Sequence, residues 1–285
     1  MGSKLSRFVN IEKVLEYIER RRHEDGGYCF VSQLADTNIA DTYYAIKIYD
    51  LLELEVPEKE KTIEFLYNSA QMQTATVGVA MAIEGLMILG ARDLAQEKLE
   101  SLLFKKYNPV EGKFAVGLGG SEEFGTATPL EATYWAMRAI NATGYRLDRE
   151  SVERIIEFVR KFRIGDAYGV THPTTTMTYQ ALYTLASLGI KEDTRYFELC
   201  EVCGDWGGFT EVPNSLPPYI EPTFYALRGL QLLGKRASCI KAHIKFIRSL
   251  QNPNGGFRRS YELGISTFQN TYRALASLDI LIRWL

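Results

Sequence analysis

Two glutamates stand where a carboxyl group could do proton chemistry. Glu131 and Glu221 each lie two residues before a threonine, Thr133 and Thr223, that is followed by an aromatic pair and an alanine. A carboxyl group drawn out of water keeps its proton to higher pH, because desolvation disfavours the carboxylate, and a retained proton is what a general acid needs. The same position also suits a helix cap, where a negative side chain near the N-terminus contributes about 0.3–1 kcal/mol. Both roles stay open at this level. His172, in Gly169-Val170-Thr171-His172-Pro173, offers a base or a phosphate contact, and Arg258 beside Arg259 offers cations.

Cysteine and histidine spacing raises zinc as a second chemistry. Cys200 and Cys203 form a Cys-x-x-Cys pair, and Cys239 and His243 sit four apart. Their registers differ, however, when counted to the Gly-aromatic loop that follows each: six residues for Cys203, but eighteen and fourteen for Cys239 and His243. On parallel helices rising about 1.5 Å per residue, the pairs would be offset by roughly 12–18 Å. The register therefore predicts buried structural thiols and no metal site. Four cysteines in 285 residues do not suggest a disulfide scaffold of the small secreted kind. No cofactor is expected.

What must position these groups is a repeat. A Thr-aromatic-x-Ala step recurs as Thr42-Tyr43-Tyr44-Ala45, Thr133-Tyr134-Trp135-Ala136, Thr178-Tyr179-Gln180-Ala181, Thr223-Phe224-Tyr225-Ala226 and Thr271-Tyr272-Arg273-Ala274, with a degenerate copy at Val79-Ala80-Met81-Ala82. Gly90, Gly144, Gly189 and Gly234 each follow a step by eleven residues, the place of a helix C-cap. Each step thus opens an inner helix of about three turns. Amphipathic segments between the steps supply outer helices at residues 11–21, 58–68, 91–103, 149–161, 192–203 and 236–250. Loops with glycine before an aromatic, such as Gly26-Gly27-Tyr28, Gly207-Gly208-Phe209 and Gly255-Gly256-Phe257, follow the outer helices; the glycine allows a tight turn and the aromatic plugs the hairpin end. A period of 37 to 54 residues predicts an all-α fold, an α/α toroid of six hairpins spanning residues 1–285 as one domain. An open solenoid would need polar caps, and the last segment ends Ile280-Leu281-Ile282-Arg283-Trp284-Leu285.

Composition narrows the partners. A formal charge of −2 gives no basic field for nucleic acid, and at 46% hydrophobic residues no stretch reaches the ~20 apolar residues of a transmembrane helix. The charged N-terminal region is unlike a secretory signal, which predicts a cytoplasmic location. Met1-Gly2-Ser3-Lys4-Leu5-Ser6 fits a myristoylation pattern, and equally a cloning scar.

A Gly-Gly-aromatic loop followed by Thr-aromatic-x-Ala-Leu, fullest in Trp206-Gly207-Gly208-Phe209 and Glu221-Pro222-Thr223-Phe224-Tyr225-Ala226-Leu227, resembles the repeat of the protein prenyltransferase β-subunits and terpenoid cyclases. In the prenyltransferases that it resembles, zinc is held by an Asp two before the Thr position, a Cys at it and a His in the next repeat. Here those places read Glu221, Thr223 and Gln269, and neither a hydroxyl nor an amide replaces thiolate and imidazole on zinc. The class II cyclase acid motif is reduced to Asn38-Ile39-Ala40-Asp41-Thr42, with Ala40 where the proton donor belongs. The resemblance implies an isoprenoid or other apolar ligand in the ring's lumen, met by Tyr43, Tyr44, Tyr134, Trp135, Tyr179, Phe224, Tyr225 and Tyr272 through burial and π faces. The same aromatics could instead be ordinary packing. Four readings follow: an isoprenoid-handling protein with acid chemistry at Glu221 or Glu131; a non-catalytic toroid that engages a protein partner; a β-like subunit needing a helical partner; and a glycan-processing barrel with paired acids. The first two differ in whether the lumen is open or filled.

Overall fold

The buried threonine of each repeat explains why the motif has its form. The hydroxyls of Thr42, Thr133, Thr223 and Thr271 donate to the carbonyl four residues back at 2.6–2.8 Å. Each also accepts the backbone N–H of the loop aromatic, Tyr28, Phe114, Phe209 or Phe257, at 2.9–3.1 Å. Thr178 accepts the N–H of Tyr168 in the same way, at 3.1 Å. All five aromatics are buried plugs at the hairpin ends, so one hydroxyl ties loop to helix in each repeat. Valine fills the same space without the acceptor and leaves a buried amide unpaired. Thr223→Val is therefore expected to cost about 1–3 kcal/mol, read as a lower denaturant midpoint.

The computed structural model describes residues 4–31, 36–117, 128–262 and 264–285. The Met1-Gly2-Ser3 start of the acylation-like pattern lies outside them. Among the described residues there are twelve α-helices. The inner six are α2 (Ile39–Leu51), α4 (Thr76–Ile88), α6 (Pro129–Thr143), α8 (Thr175–Ser187), α10 (Ile220–Leu232) and α12 (Phe268–Trp284); the outer six are α1 (Ile11–Glu19), α3 (Lys59–Gln71), α5 (Arg92–Lys98), α7 (Arg149–Arg160), α9 (Tyr196–Leu199) and α11 (Ile240–Ser249). Asn38, Thr128, Thr174 and Thr267 cap four inner helices by accepting the N–H three residues on. The predicted C-cap glycines all take the left-handed conformation, with φ of 68–83°.

The inner helices pack in sequence around a ring, and α12 closes it against α2. On the outside, α1 meets the last loop. Asn10 and Gln251 exchange two hydrogen bonds of 3.0 Å, Arg248 donates to the Phe8 carbonyl at 2.8 Å, and the Tyr17 hydroxyl donates to Ser266 O at 3.1 Å. The open solenoid is excluded by this seam. No helix of the described residues is long and apolar enough to cross a membrane.

Two expectations are corrected by the fifth hairpin. The outer helix expected at residues 192–203 is a single turn, α9, because its last residues have other partners. Glu201 bridges to Phe209, Val202 donates to Gly208 O at 3.0 Å, and the Glu201 carboxylate reaches the start of α11. With no helix to hold Cys203 in register, the predicted axial offset vanishes, and Cys203 forms a disulfide with Cys239 at a Cα–Cα distance of 5.6 Å. Of the cysteines in that reading only Cys200 is a buried free thiol, and Cys29, outside it, is another.

Candidate functional site

The N-termini of the inner helices gather at one mouth of the ring, and there a bowl of about 580 Å³ opens. Its wall carries three carboxylates, Glu131, Glu211 and Glu221, and two guanidinium groups, Arg259 and Arg273. Each is placed by its position in the repeat. Glu131 and Glu221 occupy the first turns of α6 and α10, and Arg273 is the third residue of the last step. Glu211 and Arg259 are two residues beyond the plugs Phe209 and Phe257. Thr175 N donates to Glu211 O at 2.9 Å, and both carboxylate oxygens of Glu211 accept from Thr176 at 3.0 Å, fixing that side chain over the start of α8.

The two glutamates singled out in the sequence have different surroundings. Glu221 is ion-paired at 2.7 Å with Arg273, whose side chain is almost fully buried, so its charge is matched. Glu131 reaches back to the Thr128 amide while Thr128 caps the Glu131 amide at 3.1 Å, a reciprocal capping box. Burial, with the Glu221 charge added, nevertheless pushes the Glu131 carboxyl above the ordinary carboxylate range; Arg273, Thr128 and the side chain of Trp135 oppose this only in part. Burial pushes Glu211 up as well. A capping position and a raised pKa therefore coexist at Glu131.

Beneath the bowl the aromatic residues of the steps join into one circuit. Ring centroids follow one another at 5.1–5.9 Å from Tyr43 through Trp135, Tyr134, Tyr179, Tyr225, Phe224, Tyr272 and Tyr44 back to Tyr43. The degenerate step on α4 contributes only Ala80 and Met81, and the circuit passes from α2 directly to α6. All eight aromatics expected from the sequence are thus brought together, seven of them buried and Tyr272 half-buried. They occupy the lumen rather than line an open one.

One turn further along, Arg138 donates to Glu84 at 2.6 Å and to the Tyr43 hydroxyl at 2.7 Å, and lies 4.4 Å over the Trp135 ring. Burial works against the guanidinium charge here, but Glu84 and the tyrosines outweigh it and raise the Arg138 pKa well above its ordinary value. An Arg–Glu pair therefore flanks the circuit on each side. Removing one partner would leave a buried charge alone, so Arg138→Met is expected to lose about 3 kcal/mol. The double variant Arg138→Met/Glu84→Leu should recover most of that loss, as urea midpoints would report.

His172 and Arg258 are elsewhere. His172 is exposed, with Nδ1 3.0 Å from the Thr171 hydroxyl, and Arg258 donates to Ser249 O at 3.1 Å; neither lines the bowl. Arg259 takes the place expected for Arg258. Glu211, Arg273, Arg138 and Glu84 were not singled out in the sequence. Register within the repeat would have found the first two: Glu211 aligns with Arg259 behind the plug, and Arg273 with Tyr44, Trp135 and Tyr225 in the step.

The positions corresponding to zinc ligands are all engaged. Thr223 is the loop tie already described, Gln269 donates to the Tyr44 hydroxyl at 3.0 Å, and Glu221 holds Arg273. The profile of the prenyltransferase alpha-alpha toroid domain matches residues 3–93 and 122–285. The chain belongs to this family. No curated protein matches it in sequence. Among solved structures the toroid is similar to protein geranylgeranyltransferase-I of Candida albicans, complexed with GGPP, at 17% identity and a TM-score of 0.69, covering 95% of this chain and 91% of that one. It is also similar to a variant of the type II terpene cyclase MstE of Scytonema in complex with geranylgeranyl dihydroxybenzoate, at 17% identity and a TM-score of 0.64, covering 99% and 98%. Another variant of that cyclase, in complex with its product merosterolic acid A, gives a TM-score of 0.62 at 17% identity, covering 99% and 98%. At these identities the likeness is one of fold.

Proposed function

We propose that this toroid handles a compact isoprenoid or terpenoid in its bowl, without a metal in the lumen, and that Glu131 is its proton donor. The observation that carries the reading is the position of Glu131: it faces the bowl beside the Glu221 carboxylate, and burial together with that neighbouring charge raises its carboxyl above the ordinary range. An alkene resting on the circuit would lie beside an acid and above π faces suited to a developing carbocation. The ligand is compact in this reading because the circuit closes the lumen below it, and a chain of fifteen or twenty carbons would have to displace packed rings. A diphosphate is disfavoured because Arg273 is already paired with Glu221 at 2.7 Å, which leaves Arg259 as the other guanidinium in the wall to meet two phosphates.

Metal independence is supported by the chemistry at Glu221, Thr223 and Gln269, each already committed to a partner. The test is a thermal-shift and native-mass series of prenyl alcohols and diphosphates from ten to thirty carbons. Stabilisation by the shorter alcohols, weaker with longer chains and with diphosphates, is the expected result. Stabilisation that grows with chain length would overturn the compact ligand.

The filled lumen favours one alternative. A closed aromatic circuit with the Arg138–Glu84 pair beneath it is also what a non-catalytic toroid would need, its work then being to engage a protein partner as a β-like subunit does. No stabilisation by any prenyl compound would select this reading.

A further inference from the structure

The loop after α9 and the start of α11 together carry a cluster that the bowl does not use. The sulfurs of Cys203 and Cys239 and one carboxylate oxygen of Glu201 all lie within 4.8 Å of one another. Glu201 is aimed there by its surroundings. Its Oε1 accepts from Ser238 N at 2.7 Å and Cys239 N at 2.8 Å, and lies 2.9 Å from His243 Nε2. His243 is itself fixed, because its Nδ1 accepts the Gly208 amide at 2.8 Å, which leaves Nε2 to donate its proton to Glu201. A buried imidazole orienting a carboxylate beside two sulfurs is the arrangement of a supported ligand set, with the imidazole acting through the carboxylate.

We infer that Cys203, Cys239 and Glu201 form a redox-gated site for a zinc-like divalent ion, closed as the disulfide and available to metal as the dithiol. Opening the site is a two-electron step. A trialkylphosphine attacks the disulfide, the S–S bond breaks, and with one water the products are a phosphine oxide and two thiols. The metal then binds as each thiol gives up its proton, so that two thiolates and one carboxylate bind the ion and water completes four-coordination. Zinc–sulfur bonds of about 2.3 Å in tetrahedral geometry need the sulfurs roughly 3.8 Å apart. The exposed stretch from Cys203 to Trp206 is where that small opening can be taken up, while Cys239 stays at the start of α11. Thiolate ligands favour zinc over magnesium or calcium. The site lies outside the lumen and rests on no part of the reading proposed for the bowl.

The test is equilibrium zinc binding to the full chain, oxidised and phosphine-reduced, with a chromophoric chelator as competitor and cobalt as a spectroscopic substitute. The expected result is one zinc per reduced chain and none per oxidised chain, with a thiolate-to-cobalt charge-transfer band in the near ultraviolet. Cys203→Ser and Cys239→Ser should each weaken binding at least 100-fold, and Glu201→Gln about 10-fold or more, whereas Cys200→Ala should leave it unchanged. Circular dichroism of each variant checks that the helices are retained. A reduced chain that binds no zinc would overturn the site and leave the metal-free lumen standing. Zinc bound equally by the Cys203→Ser and Cys239→Ser chains would overturn both, since the metal would then have ligands elsewhere.

Discussion

A Glu131→Gln chain is expected to lose about 10²–10⁴-fold in any acid-initiated turnover of a bound terpenoid while still binding the ligand. Glutamine keeps the size of the side chain and can still accept from the Thr128 amide, so the capping role survives and the proton does not. Stability should separate the roles further. The Glu131 carboxyl is raised in the folded chain, so below the unfolded value both states are protonated and the group contributes nothing. As pH rises through the unfolded value the unfolded chain ionises first, and the folded state carries a penalty that is complete only above its own raised pKa. Removing the group relieves that penalty. Glu131→Gln should therefore be no less stable than the parent at neutral pH, with any advantage fading as pH falls toward about 4, whereas a purely capping carboxylate would make the variant weaker at neutral pH. Activity of the parent should decline as pH rises through the same raised pKa. Turnover that survives the substitution would remove Glu131 from the chemistry and leave it as a cap.

The second large effect is expected at the seam that closes the ring. Gly255 has φ 94°, and a Cβ there would meet the Lys13 carbonyl oxygen at 1.9 Å. Both partners are backbone, and the flanking bonds between Gln251 and Asn10 hold them in place, so no side chain can yield. Gly255→Ala is expected to cost more than about 4 kcal/mol, combining left-handed strain of about 1–2 kcal/mol with loss of the α1 contact. Gly234, a C-cap with φ 68° and open space around it, provides the comparison, and Gly234→Ala should cost only about 1–2 kcal/mol. Urea unfolding of the two variants measures the difference. Equal losses would mean that the seam does not contribute to closing the ring.

Much of this protein could be read from its residues because the repeat ties local pattern to global shape. The Thr-aromatic-x-Ala steps located all six inner helices, and the glycines eleven residues on located four of their ends, since those signals depend only on neighbours within a helix turn. The eight aromatics were gathered in advance for the same reason: equal register in equivalent helices puts equivalent side chains at one level of a ring. Local pattern could not decide whether those rings would leave a channel or meet. That depended on the ring's diameter and on α4 presenting Ala80 and Met81, and the outcome is a closed circuit. Nor did it decide the fate of Cys203. Its register held only if residues 192–203 stayed helical, and the contest between that helix and the partners offered by Gly208, Phe209 and α11 was settled by groups distant in the sequence. The bowl's electrostatics were hidden for a similar reason. Glu131 and Glu221 look alike along the chain, and only tertiary structure gives Glu221 the ion pair with Arg273 while burial and the Glu221 charge raise the Glu131 carboxyl above the ordinary range.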